Sequence, residues 1–359
     1  MAVYIPMTVL AVWFAWLSGC VSEGKKQKTF GLRRISAALL YFFAFLSIFL
    51  VSAFREGVGT DYWNYADMFW NPAGQTGNTI FDSAVVLLTV FFSDYHILYI
   101  LSSLIICGGI CYVNRQESDS PALSILLFVI MEDYFVSMNI FRQYISIIFI
   151  LIAILEMRRR KTVNGLLFYL YAVMLHTSAL VALPVFILPR LRFSKKWLVV
   201  GTAGGVAAVL IGCPILKKLL MFTSYGHYFS SHYATETYSV SLPMLMIYVT
   251  ILLTVLVLCD GEQIKKDEKL RLFCVSDVGC ILVMVLSYGL TANSYRLSYY
   301  FNVILGVYFP RMLNAIPNEK LRRLVKYAMI ILFTIWTVML IYHRNQNALP
   351  YHTWLTDLF

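Results

Sequence analysis

The chain alternates long apolar runs with short polar connections along most of its length. Runs of about twenty residues are long enough to cross the hydrocarbon core of a bilayer as helices. They occupy residues 2–21, 35–53, 95–114, 121–137, 139–157, 197–212, 242–259, 272–291, 298–315 and 326–342. The pattern predicts an all-α, polytopic membrane bundle with about ten to twelve transmembrane helices.

The apolar stretch 164–188 does not fit this alternation as a single span. Lys and Arg clusters stay on the cytoplasmic side of membrane proteins, and one crossing here would move the clusters at 190–196, 265–271 and 320–326 to the opposite face. We therefore expect a re-entrant or tightly paired hairpin with His176 near its turn. Backbone broken at membrane depth needs shielding by protein or a wet cavity, so His176 is predicted to line a cavity.

The same alternation predicts that several polar connections share the outer face. They are residues 54–78, the turn at Met138 and Asn139, residues 213–241, residues 291–297 and the C-terminal tail. Residues 79–92 are too short to cross the membrane, so we expect an interfacial helix with Asp82 near its start, and a second one within 213–241. The run at 2–21 has no basic segment before it, which predicts a retained helix. One membrane domain over residues 1–359 accounts for the pattern.

Composition supports this class and excludes others. Hydrophobic residues make up 60% of the chain and charged residues only 13%, whereas a soluble domain has about a quarter charged. The net charge of +10 comes from short clusters between apolar runs, which is typical of membrane orientation and not of nucleic-acid binding. The seven cysteines form no CxxC pair, so we predict neither a disulfide framework nor a zinc site, and no cofactor.

Charge, glycine and aromatic residues concentrate in residues 54–69, directly after the second run. Ionisable groups at the mouth of a span usually have a function, so Arg55 is a candidate substrate ligand and Asp61 a candidate base. A structural salt bridge between the two is the alternative. Gly57 and Gly59 permit a tight turn. The stretch also supplies rings for sugar stacking or for the headgroup zone, namely Tyr62, Trp63, Tyr65, Phe69 and Trp70.

Polar residues also interrupt three later runs. Arg142 and Gln143 open an apolar run, and Arg296 follows Tyr295 at another helix end. Snorkelling toward the interface explains any one of these arginines, but guanidinium groups from three helix ends on one face would also suit a diphosphate. His176 is a candidate general acid or base, or else a hydrogen-bonded core residue.

Glu132 and Asp133 interrupt another apolar segment near its outer end. A carboxylate at that depth is expected to be paired or functional, and pairing with one of the arginines is the structural alternative.

The pattern R-x3-GTDY-x2-Y, formed by Arg55, residues 59–62 and Tyr65, resembles the signature of the EpsG family of bacterial polysaccharide-biosynthesis proteins. Looser similarity extends to residues 139–143, to 176–179 and to 295–296. The family is similar to Wzy-type polymerases. The resemblance implies transfer of a growing glycan from undecaprenyl diphosphate to an incoming lipid-linked repeat unit at the outer face of the plasma membrane.

On this hypothesis the partners are the lipid-linked donor and acceptor and membrane lipids, with a chain-length regulator and a flippase as further candidates. Two other functions remain open. A flippase for the same lipid-linked sugars would also need about ten to twelve helices and a basic cavity, but the charge here lies at the outer face. A membrane acyltransferase would also use an intramembrane histidine, and would require His176 to face the cytoplasm.

Overall fold

A computed structural model describes residues 1–22, 30–72, 80–222, 226, 241–343 and 346–355. These residues are almost entirely helical, which confirms the all-α prediction. The α-helices in chain order are α1 Tyr4–Ser22, α2 Phe30–Ala53, α3 Tyr62–Trp70, α4 Ile80–Phe91, α5 His96–Glu117, α6 Pro121–Ile130, α7 Asp133–Asn139, α8 Phe141–Arg158, α9 Thr162–Leu175, α10 Pro184–Ile187, α11 Lys195–Met221, α12 Ser241–Leu258, α13 Gly261–Lys266, α14 Glu268–Gly289, α15 Tyr299–Asn314 and α16 Glu319–Tyr342.

Short elements of other types connect these helices. Three 3₁₀ segments cover Thr177–Ala182, Leu188–Arg190 and Ala292–Ser298. Two strands, β1 Arg55–Glu56 and β2 His352–Thr353, pair antiparallel, with Arg55 opposite Thr353 and Glu56 opposite His352. The ladder therefore joins the polar stretch after α2 to the C-terminal tail.

Six of the described helices are long and apolar enough to cross a membrane, and they are α1, α2, α5, α11, α14 and α16. The pair α6 and α7 passes the same test jointly, although it is bent by 58°. Three further predicted runs form α8, α12 and α15, with 18, 18 and 16 residues. The chain is a multi-pass membrane protein.

The predicted span at 121–137 is not one continuous helix. Helix α6 ends at Ile130, and α7 begins at Asp133 after Glu132 takes a left-handed conformation with φ 64°. A non-glycine residue rarely adopts that conformation, and it redirects the chain between the two helices. The polar pair Glu132 and Asp133 marks the break within an otherwise apolar run.

Two other boundaries differ from the prediction or refine it. The polar stretch after α2 is not wholly a loop, since it contains β1 and the nine-residue helix α3. Helix α11 continues through Pro214 to Met221, beyond the predicted end at residue 212. The rest of the predicted 213–241 loop, with its second expected interfacial helix, lies outside the described residues except for Phe222, Gly226 and Ser241.

The segment predicted at 79–92 forms a helix, α4, and its interfacial position stays a prediction. Helix α9 ends at Leu175 and His176 is extended, so the helix breaks where the hairpin turn was expected. That the segment is re-entrant stays a prediction.

The chain divides into two compact units. The first comprises Met1–Ala179 with Tyr327–Phe359. In it the small residues Ala11, Ala15 and Ser18 of α1 are buried, and Ser18 Oγ donates to the carbonyl of Ala37 in α2 at 2.7 Å. Small side chains let neighbouring membrane helices approach closely. Helix α9 packs on α8 in the same way, through Gly165.

The second unit, Leu180–Lys326, is built around α14. Helices α11, α12 and α15 pack against α14, and most residues of α14 are buried. That the two units form a single membrane domain stays a prediction.

Candidate functional site

Arg55 follows α2 and is almost completely buried, at 1% exposure. Its Nε donates to the carbonyl of Val58 at 3.3 Å, its Nη2 donates to the carbonyl of Met138 at 3.0 Å, and its Nη1 donates to the carbonyl of Ser52. The guanidinium also lies over the ring of Tyr99. No ion pair joins Arg55 to Asp61 in the described part of the chain, so the structure does not support the structural alternative of a salt bridge between them. Arg55 fixes the loop after α2 and presents no open face to a ligand.

Gly59 brings this loop into contact with the break between α7 and α8. Its φ of +116° favours glycine, and a Cβ at this position would lie 2.7 Å from Asn139 Oδ1. The next residue, Thr60, donates its main-chain N–H to the same Oδ1 at 2.6 Å. The Nδ2 of Asn139 donates to Gln346 in the C-terminal tail. Asn139 therefore ties the 59–62 motif to the tail.

Tyr62 is buried, and its ring stacks on Tyr99 with centroids 4.2 Å apart. A ring covered in this way is not available to stack on a sugar, so that part of the prediction does not fit the structure. Asp61, by contrast, lies at the N-cap of α3 and is partly exposed. Tyr65 is also partly exposed, and its ring lies 3.8 Å from that of Phe141 at the start of α8.

Glu56 is the centre of a hydrogen-bond network that the sequence prediction missed. Its carboxylate accepts from Tyr62 OH at 2.9 Å and from Tyr95 OH at 3.0 Å, and it contacts His96 Nε2 at 2.8 Å. Burial, followed by the hydrogen bond to Glu56, raises the pKa of Tyr95 to about 12, so the phenol remains a donor at neutral pH. The pair Asp94 and His96, at the start of α5, was the signal in the sequence.

Arg142 lies near the start of α8 and differs from Arg55 in being partly exposed. Its Nη1 lies 3.3 Å from Asp82 Oδ1 of α4, and its Nε donates to the carbonyl of Leu175 at 3.4 Å. The side chain is 29% exposed, whereas that of Asp82 is 10% exposed. No described residue accepts a hydrogen bond from Nη2. The carboxylate of Asp82 and the carbonyl of Leu175 thus orient the guanidinium, while part of the Arg142 side chain remains exposed.

His176 follows Leu175 directly and therefore lies beside Arg142. Helix α9 packs along α8, and Ser146 Oγ of α8 donates to the carbonyl of Ala172 of α9 at 2.8 Å. Helix α9 then ends at Leu175. The Nδ1 of His176 lies 2.5 Å from Ser178 Oγ. The structure thus brings together Asp82, Arg142 and His176, with Tyr65 close by through Phe141. Asp82 was expected only as part of an interfacial helix.

Other predicted residues lie elsewhere. Gln143 is buried in α8. Asp133 is buried and accepts from Tyr144 OH at 2.7 Å. Tyr295 and Arg296 lie in the second unit, partly exposed within the 3₁₀ segment that precedes α15, and the ring of Tyr295 contacts that of Tyr299. Their convergence with Arg142 stays a prediction. Among the described residues, no group of three His, Cys, Asp or Glu residues could hold a metal ion.

Comparison with known proteins gives one match. The model of the EpsG family matches residues 38–353, a range that includes the 55–65 motif, Arg142, His176 and Arg296. Neither a curated protein nor a solved structure matches the chain.

Proposed function

Because the chain belongs to the EpsG family of membrane proteins of polysaccharide biosynthesis, we propose that it is a Wzy-like polymerase. It joins undecaprenyl-diphosphate-linked oligosaccharide repeat units into a surface polysaccharide such as a capsule, an exopolysaccharide or an O-antigen. It acts at the extracytoplasmic face of the bacterial plasma membrane. The donor and acceptor are lipid-linked sugars, and a chain-length regulator and a flippase are further partners.

The observation that carries this proposal is the placement of Arg142 between Asp82 and Leu175, beside His176. A guanidinium has five donors in a planar fork that matches phosphate oxygens. The contacts of Arg142 use Nε and Nη1, and 29% of the side chain is exposed. A polar site at the mouth of a bundle can receive a diphosphate while the prenyl chain stays in the lipid. Arg296, in the second unit, is also proposed as a substrate-binding residue.

The residues of this site fit the bond changes of glycosyl transfer. The bond between the anomeric carbon and the diphosphate oxygen breaks, and its electron pair goes to that oxygen. A new bond forms between the acceptor hydroxyl oxygen and the anomeric carbon. Arg142 stabilises the negative charge that develops on the leaving diphosphate. The proton of the acceptor hydroxyl passes to His176, which lies beside Arg142, or to Asp61 at the start of α3.

The remaining candidate residues hold the protein or the sugars in position and take no part in making or breaking bonds. Arg55 and Tyr62 are buried and hold the loop that carries Asp61. Gln143 is buried next to Arg142 in α8. Tyr65 and Tyr295 are partly exposed rings that suit contact with sugars.

Purified protein in liposomes with one labelled lipid-linked repeat unit tests the proposal. We expect products longer than the substrate, released as a ladder of repeat units, with free undecaprenyl diphosphate as the second product. Transfer of unchanged lipid to the other leaflet would instead identify a flippase. Labelling of the glycan from acyl-CoA, without elongation, would identify an acyltransferase. Either of these results overturns the polymerase.

A further inference from the structure

Helix α3 presents two exposed tryptophans on one face. Trp63 is 54% exposed and Trp70 is 55% exposed. On the other side of the helix, Tyr62, Ala66 and Phe69 are buried. Seven residues make almost two full turns, so the two indoles lie on the same side, about 10 Å apart along the helix axis. The buried side anchors the helix, and both indoles remain outside the packed interior.

Neighbouring groups hold both indoles in place. The ring of Trp63 lies 5.0 Å from that of Tyr62, in an edge-to-face contact. The ring of Trp70 lies 4.8 Å from that of Tyr95, also edge to face. Trp63 further lies against Gly57, where an added Cβ would be 3.7 Å from the indole. A ring that is already fixed loses little conformational freedom when a ligand binds.

Polar side chains accompany the two rings. Asp67 is exposed and lies four residues after Trp63 and three before Trp70, so it occupies the same face. Asn64 is exposed as well. Asp67 Oδ1 accepts from Asn71 Nδ2 at 2.6 Å, and an ionised carboxylate has capacity for further donors. The exposed surface formed by Trp63, Asn64, Asp67 and Trp70 is called the α3 face.

The charge of this segment argues against a membrane surface as its ligand. Helices that lie in the membrane interface carry Lys and Arg on their polar face, where these residues attract anionic lipids. Residues 56–72 contain three carboxylates and no Lys, Arg or His. The α3 face therefore suits an uncharged ligand with both apolar and hydroxyl groups. A sugar chain has both, because its C–H groups pack on the negative face of an indole while its hydroxyls reach polar side chains.

We infer that the α3 face binds a neutral oligosaccharide, with each indole stacked on a different sugar of one chain. The α3 face adjoins the proposed site, because Asp61 is the N-cap of α3. In addition, Tyr65 of α3 contacts Phe141, the chain neighbour of Arg142. A glycan that reacts beside Arg142 can therefore extend along α3. That this glycan is part of the lipid-linked substrate rests on the proposed function, whereas the binding itself does not.

Titration with soluble glycans tests this inference without an elongation assay. The protein, in nanodiscs of zwitterionic lipid, is titrated with fluorescent fragments of neutral surface polysaccharides, including fragments of the glycan made by the source strain. We expect Trp63→Ala and Trp70→Ala each to weaken binding about five- to tenfold, through loss of one stacked ring. Trp16→Ala should bind like the parent. It is the matched control because Trp16 is 56% exposed but belongs to α1.

Asp67→Asn tests the charge of the α3 face and keeps its shape. The new side chain retains an oxygen that can accept from Asn71, so we expect the variant to fold. The parent should bind neutral fragments more tightly than fragments that carry uronic acids, because Asp67 repels a second carboxylate. Asp67→Asn should bind the acidic fragments about two- to fivefold more tightly than the parent does, the usual size of an exposed charge effect.

Equal affinity of the parent and both tryptophan variants for the neutral fragments overturns the inference, and so does a parent that binds none of them. Brominated lipids give a further test, through the fluorescence that the parent loses relative to the double variant Trp63→Phe, Trp70→Phe. Quenching of these two indoles would place them in the membrane interface and would also overturn the inference. Glycan binding without elongation would count against the polymerase alone. Elongation without glycan binding would count against the α3 face alone.

Discussion

The main-chain N–H of Thr60 lies 2.6 Å from Asn139 Oδ1, and this contact joins two motifs separated by 79 residues. Beside it, the guanidinium of Arg55 donates to the carbonyl of Met138. Two of the sequence motifs that carry the family resemblance are therefore in direct contact. We call these contacts of Arg55 and Thr60 with Met138 and Asn139 the joint. The joint positions Asp61 and α3 next to the start of α8, where Arg142 lies.

Asn139→Ala should destabilise this joint. The substitution leaves the Thr60 N–H and the Gln346 side chain without their partner, and an unsatisfied buried polar group costs about 1–3 kcal/mol. We expect a lower thermal midpoint in detergent and a reduced elongation rate. Asn71→Ala is the matched control, because Asn71 is exposed and, among the described residues, bonds only to Asp67 of α3. Equal midpoints for the two variants would contradict the role of Asn139.

Gly59→Ala should be more damaging than an ordinary glycine substitution. The new Cβ would approach Asn139 Oδ1 to 2.7 Å at a φ of +116°, and an L-residue in the left-handed region costs at least about 1–2 kcal/mol. Gly201→Ala in α11 is the control, since no atom lies within 4 Å of its Cβ position. We expect a lower yield of folded protein from Gly59→Ala only, measured by size-exclusion chromatography. A normal yield would show that the loop tolerates a side chain here.

Arg55→Lys should lower stability together with activity. An ammonium group cannot replace a fork that donates to three carbonyls in different directions, and it would be buried with incomplete partners. The thermal midpoint should fall, whereas Arg159→Lys, at 36% exposure, should leave it unchanged. An Arg55→Lys protein with normal stability but no elongation would instead indicate a direct ligand of the diphosphate.

His176→Gln should lower kcat without changing the KM for the lipid-linked repeat unit. Removal of a general base costs about 10²–10⁴-fold in rate, while the binding of the diphosphate by Arg142 persists. Ser178→Ala is the companion variant, because Ser178 Oγ lies 2.5 Å from Nδ1 and orients the ring. We expect a smaller fall in kcat there. Full activity in His176→Gln would assign the proton to Asp61 instead.

The sequence predicted the membrane bundle because the length of an apolar run alone decides whether a helix can span. It did not predict the break before α7, since the left-handed conformation of Glu132 depends on local backbone energetics that hydropathy does not report. Nor did it predict that Arg55 is buried. The groups that surround the Arg55 guanidinium come together through the packing of α2, α5 and α7, which are far apart along the chain.

Three of the polar residues described above could have been found from the sequence. Asp82 is an acid at the start of an otherwise apolar helix, and such a group needs a cation, which Arg142 supplies. Asp94 lies just before a span and His96 is the first residue of that span, where paired ionisable groups also suggest a function. The sequence could not show that Asp82 of α4 and Arg142 of α8 lie close together, because no periodic pattern links α4 to α8.

Elongation of a labelled lipid-linked repeat unit by the Arg142→Gln variant in liposomes tests the central claim most directly. Arg159→Gln is the matched control, because Arg159 caps the opposite end of α8. Removal of one donor to the developing charge costs about 10²–10³-fold in rate, so we predict that Arg142→Gln folds normally and loses elongation by at least that factor, while Arg159→Gln retains it. A folded Arg142→Gln protein that elongates the glycan at the parent rate would contradict the account.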